Sequence, residues 1–186
     1  MTQNQKTEAI KKAVAERRFC AVRLMYEHTE RHMIPIAAGK DRFIAVNESD
    51  LKLDGYILID FRQVDAVYML SEASGEIARN EGFLDAVRIP PVDLDSPRMI
   101  FSYLANSGTN IEVEVCSDAS RETAIFPGRV VGTTDYEFRL LIFNVSCTWE
   151  KRPVTIGYDR LRAVKFGTGY LDIYSKYLPT CPVIPQ

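Results

Sequence analysis

The chain has 186 residues, enough for one ordinary domain or two small ones. Its 46% hydrophobic and 26% charged content is that of a globular protein and argues against wholesale disorder. The net charge of −2, from 23 Lys and Arg against 25 Asp and Glu, argues against a dedicated duplex-DNA binder while leaving room for a local basic patch.

From Thr7 to Arg18 the pattern predicts a helix capped by Thr7, with Ala9, Ile10, Ala13 and Val14 on one face. Phe19 to Tyr26 switches to strand chemistry, and both alternating faces are largely apolar. Further short strands are expected over 31–37, 42–46, 56–60 and 64–70, with turns at Gly39-Lys40-Asp41 and Asp54-Gly55. Ser71 to Pro97 is rich in turn residues, acids and prolines and reads as a loosely packed linker holding a short helix near Gly75–Asn80.

The second half repeats the order. Ser96 and Pro97 open a helix that Gly108 ends. In the strand from Asn110 to Cys116, Ile111, Val113 and Val115 alternate with Glu112 and Glu114, which predicts one wet face. Strands follow over 123–131, 136–145, 153–158 and 161–166, with a turn at Trp149-Glu-Lys-Arg-Pro153, a closing helix over 170–178 and an extended tail. Phe61-Arg-Gln-Val-Asp-Ala-Val67 lines up with Tyr158-Asp-Arg-Leu-Arg-Ala-Val164, which supports an internal repeat. The expected fold is therefore mainly β with short helices: two tandem, small five-stranded barrels, each preceded by a helix. The units are 1–70 and 97–186, with 71–96 as linker.

Cys20, Cys116, Cys147 and Cys181 form no Cys-x-x-Cys pair and read as reduced cytosolic thiols. The polar start lacks the apolar region of a secretion signal, and no apolar run nears the roughly 20 residues that span a bilayer. A cytoplasmic protein without membrane partners is expected. His28 and His32 flank Glu30 in a strand-turn-strand, where the rings need not converge and no cysteine is near, so no metal is expected. No base stands near a cysteine in sequence, and Gly167-Thr-Gly169 lacks the lysine of a phosphate loop. Neither an enzyme nor a cofactor is expected.

Trp149 beside Lys151 and Arg152 joins an aromatic face to two cations, the chemistry that grips single-stranded nucleic acid. Arg129 and Arg139 add charge in the same unit, and Arg31 and Arg42 are the candidates of the first unit. The bland alternative is a tryptophan folded over the barrel mouth among solvated charges, since Glu137, Glu150 and Asp159 dilute the field.

A helix followed by five short strands resembles the Sm-like barrel. Gly132-Thr-Thr-Asp135-Tyr-Glu-Phe138-Arg139-Leu140 is similar to the first Sm signature, with Arg139 at the RNA-contacting asparagine position. Tyr158-Asp159-Arg160 stands near the second signature, whose Ile-Arg-Gly triplet is absent. Tyr26, Arg31, Pro35, Arg42-Phe43-Ile44 and Phe61-Arg62-Gln63-Val64 resemble the order of a WYL domain, an SH3-like relative. The resemblance implies a binding module with two readings. One is self-association or protein partnership through strand edges; the other is RNA, single-stranded DNA or nucleotide binding in a regulatory role.

Overall fold

The computed structural model describes residues 1–25, 27–49, 52–85, 87–116 and 122–183. Tyr26, and with it one residue of the WYL resemblance, lies outside these. The chain divides into two compact units, Met1–Asp95 and Ser96–Gln186.

The first unit runs α1 (Gln3–Glu16), β1 (Cys20–Leu24), β2 (Arg31–Ala38), β3 (Arg42–Ser49), β4 (Lys52–Asp60), a 3-10 turn (Phe61–Gln63), β5 (Val64–Met69) and α2 (Glu72–Asn80). The second runs α3 (Pro97–Asn106), β6 (Asn110–Cys116), β7 (Thr123–Thr133), β8 (Glu137–Ile142), β9 (Val154–Gly157), a 3-10 turn (Tyr158–Arg160), β10 (Leu161–Phe166) and α4 (Gly169–Tyr177). The element order is the same in both. The strand order repeats too: β5-β1-β2-β3-β4 in the first unit and β10-β6-β7-β8-β9 in the second, and among the described residues each ladder within a unit is antiparallel.

The mainly β expectation holds, but closed five-stranded barrels are not what the ladders describe. Among the described residues no ladder joins β4 to β5 or β9 to β10, so each unit by itself is an open antiparallel sheet. The repeat extends to single bonds. Phe61 N donates to Asp41 O at 2.9 Å, and Tyr158 N donates to Tyr136 O at 3.0 Å. The Phe43–Phe61 ring pair at 5.2 Å has its counterpart in Phe138–Tyr158 at 5.9 Å.

Several local expectations shift. Helix α1 starts at a Thr2–Gln5 capping box rather than at Thr7, whose hydroxyl donates instead to Gln3 O. Asp54-Gly55 is not the β3–β4 turn. It lies inside β4, where the register slips between Val46 and Glu48 and Gly55 takes φ +68, a bulge that needs a left-handed residue. Helix α2 is longer than expected, and the segment read as a loose linker is packed. Ala78 is buried against Phe19 and Ile34, with Leu70, Phe83 and Leu84 around them.

That satellite cluster gives Phe19, just before β1, a partner in α2, while Cys20, Ala21, Val22 and Leu24 of β1 itself are all buried. At its end the first unit folds Asp95 back onto the β2–β3 turn. Its carboxylate accepts from Lys40 N at 2.6 Å and Asp41 N at 3.2 Å. Gly39 permits this approach, since a Cβ there would sit 2.5 Å from the Asp95 carboxylate.

The second unit shows a wet face that is not wet. Glu114 is 1% exposed and Asn110 4%. Lys165 of β10 sits between the acids, 2.8 Å from Glu112 and 3.0 Å from Glu114. Burial works against its charge, but the two carboxylates outweigh that and hold its pKa above the ordinary lysine value.

Candidate functional site

Arg129 enters on β7 directly opposite Asn110 of β6. Its Nε donates to Asn110 Oδ1 at 3.0 Å, and Asn110 Nδ2 donates to Ser175 Oγ at 2.9 Å. Ser175 in turn donates to Leu171 O at 2.6 Å within α4. The helix is held at its start by Thr168, whose hydroxyl accepts from Leu171 N, and by Gly167 at φ +63. This is the role of the Gly-Thr-Gly stretch: a helix cap rather than a phosphate loop.

The loop between β8 and β9 brings up the tryptophan. Its tip is Asn144 to Thr148, not Trp149 to Pro153. Asn144 Oδ1 accepts from Ser146 N at 3.0 Å, Thr148 N at 3.3 Å and the Thr148 hydroxyl at 2.9 Å, while Cys147 takes φ +56. Trp149 lies on the returning limb, bridged to Phe143. Its ring meets Phe143 edge-on at 5.7 Å, Phe143 stacks on Tyr174 at 5.8 Å, and Tyr174 meets Tyr170 at 4.6 Å. The indole N–H donates to Pro179 O at 2.8 Å, which ties the C-terminal segment to the loop. The Arg129 guanidinium stands 5.6 Å from the Trp149 ring centre, within cation–π range.

Of the cations singled out in the sequence, the structure thus brings Arg129 to Trp149. Lys151 and Arg152 are exposed just past the tryptophan. Arg139 shares the β8 face with Leu141, the partner of Arg129, and lies across Gly132, where a Cβ would meet its Nη2 at 2.6 Å. Arg31 and Arg42 belong to the first unit. Arg31 pairs with Glu27. Arg42 is only 8% exposed and pairs with Asp60 at 3.3 Å.

Beside Arg129 opens a groove of about 450 Å³ lined by Ala105, Asn106, Gly108, Arg129, Thr180, Cys181 and Val183. Sequence reasoning missed Asn110, Ser175 and this groove, since the Asn110–Ser175 contact joins residues 65 apart. The remaining chemistry is sparse. His32 lies 3.7 Å from Glu48, and among the described residues no three His, Cys, Asp or Glu side chains gather into a metal site. No described helix is long and apolar enough to cross a membrane. No protein-family model matches the chain, and no curated protein matches it.

Proposed function

We propose that the protein is a non-enzymatic binding module of two tandem Sm-like units that joins other chains, its own copies included, through strand edges. The observation that carries this is the outer side of β9. The Tyr158 N to Tyr136 O bond sets the hydrogen-bonding phase of the ladder, so Phe138–Ile156 and Leu140–Val154 exchange bonds. The backbone groups of Thr155 therefore point away from β8, and β9 carries neither a charge nor a proline, the usual guards of an edge. In the first unit, the Leu70 N to Phe19 O bond sets the phase of β5 and points the backbone groups of Val67 and Met69 away from β1. Edges of this kind accept a further strand by backbone pairing.

The test is light scattering of the full chain across concentration, with Thr155→Pro as the probe. This substitution removes an outward N–H and leaves the β8 ladder intact. A discrete oligomer that Thr155→Pro breaks supports the reading. A strict monomer at high concentration, with no partner-dependent change at this residue, sinks it.

A second reading, RNA or single-stranded DNA binding, is favoured by one observation: the Arg129–Trp149 pair with Lys151 and Arg152 exposed beside it. It requires oligonucleotide affinity that falls steeply with salt. Affinity unchanged by salt and by Trp149→Ala and Arg152→Ala removes it.

A further inference from the structure

We propose that the groove beside Arg129 is a binding site for a compact monocarboxylate with an apolar body. This inference does not rest on assembly, because the groove lies wholly within the second unit.

Arg31, Arg42 and Arg98 each stand beside a carboxylate of the chain: Glu27, Asp60 and Asp135. Arg129 does not. Its one hydrogen bond among the described residues is from Nε to Asn110, so both Nη groups remain available for a forked pair of bonds. Among the described residues no acidic side chain lines the groove. The guanidinium is also fixed in advance, by the Asn110–Ser175–Leu171 chain on one side and the Trp149 ring on the other. A planar cation already held in place loses little freedom when it takes a bidentate anion, which is where arginine outperforms lysine.

The walls define the rest of the ligand. Ala105, Gly108 and Val183 are apolar, and Asn106, Thr180 and Cys181 bring short, uncharged polar groups. The groove is of ordinary small-molecule size, with few polar anchors among apolar walls. One cation answers one negative charge. A phosphate dianion, or a nucleic acid carrying a charge at every step, asks for more than this groove holds.

The chain carries its own reporter, since Trp149 is its single tryptophan and touches Arg129. Isovalerate, isoamyl alcohol, inorganic phosphate and a short oligothymidylate are titrated into the full-length protein while Trp149 emission is followed. The expected result is a saturable response to isovalerate and none to the uncharged alcohol of the same shape. Arg129→Met should weaken the acid by about 10- to 100-fold, the range for losing charge-assisted hydrogen bonds. Arg129→Lys should recover only part of that loss.

Val183→Glu tests the site without touching the arginine. It places a carboxylate of the chain in the groove and should block isovalerate while circular dichroism stays native. Equal responses to acid and alcohol, an undiminished response in Arg129→Met or Val183→Glu, or no saturable response at all overturns the proposal. Tighter binding of phosphate or of the oligonucleotide overturns the monocarboxylate assignment. Light scattering of Arg129→Met should match the unsubstituted chain, which keeps this outcome separate from the assembly reading.

Discussion

Asp60→Ala is expected to be among the most damaging single substitutions in the first unit, and the structure gives the size of the effect. The Asp60 carboxylate is 5% exposed. It accepts from Arg62 N at 2.8 Å, Arg62 Nε at 3.0 Å and Arg62 Nη2 at 2.8 Å, and it faces Arg42 at 3.3 Å. Removing it uncaps the 3-10 turn after β4 and strands the Arg42 cation, 8% exposed, without an anion. Breaking a buried pair from one side costs about 3–5 kcal/mol. Urea unfolding followed by circular dichroism should show the midpoint falling by about 1 M or more. Arg42→Met/Asp60→Leu should recover much of the loss, because an apolar pair leaves no orphaned charge. A drop below about 1 kcal/mol for Asp60→Ala, the worth of an exposed pair, would refute the burial argument and return Arg42 to the pool of ligand contacts.

Gly128→Ala should destabilise the second unit by about 1–3 kcal/mol through overpacking. The new Cβ would meet Leu141 O at 2.5 Å, and an unchanged urea midpoint would contradict that contact. A thiol reagent should modify Cys116, Cys147 and Cys181 in the native protein and Cys20 only after unfolding, since Cys20 is fully buried and its pKa is pushed up to about 12 by that burial. Equal rates for all four would count against the placement of β1. Stability should fall as pH rises from 10 to 12, because burial lifts the Tyr158 pKa from 10.0 to about 12. In that window the unfolded chain releases the phenolic proton first, so the native state binds more protons and alkali favours unfolding. Tyr158→Phe should flatten that slope, and an unaltered slope would assign it elsewhere.

The parts of the fold that were legible in the sequence are those that local chemistry decides. Pro97 with Ser96 before it marks the start of α3, where Ser96 does cap Met99 N. Alternation marks β6 at its observed bounds. What misled was polarity without context. Glu112 and Glu114 look solvated until the β6–β10 register places Lys165 opposite Glu112, within reach of both acids. Arg42 looks like a surface cation until the β3–β4 register sets it against Asp60. Asp54-Gly55 has the composition of a turn, and only the register slip shows it to be a bulge. Trp149 stands out by its chemistry, yet two of its contacts, Pro179 and Arg129, come from segments far along the chain. Barrel closure depends on pairings that no local pattern encodes.

The Asp95 carboxylate on the β2–β3 turn has a consequence for how self-sufficient each unit is. The matching β7–β8 turn keeps its amides satisfied locally: Thr134 Oγ1 accepts from Tyr136 N at 3.2 Å and Glu137 N at 3.1 Å. Gly39 stands where Thr134 does, as the shared bond to the residue three ahead shows, Gly39 N to Arg42 O and Thr134 N to Glu137 O, both 2.8 Å. One copy carries an accepting hydroxyl oxygen on the turn itself. The other has emptied that position to glycine and imports the oxygen from 55 residues downstream. A fragment of the first unit that stops before Leu94 therefore loses the group that completes its own turn. The second unit carries its cap with it wherever it is cut.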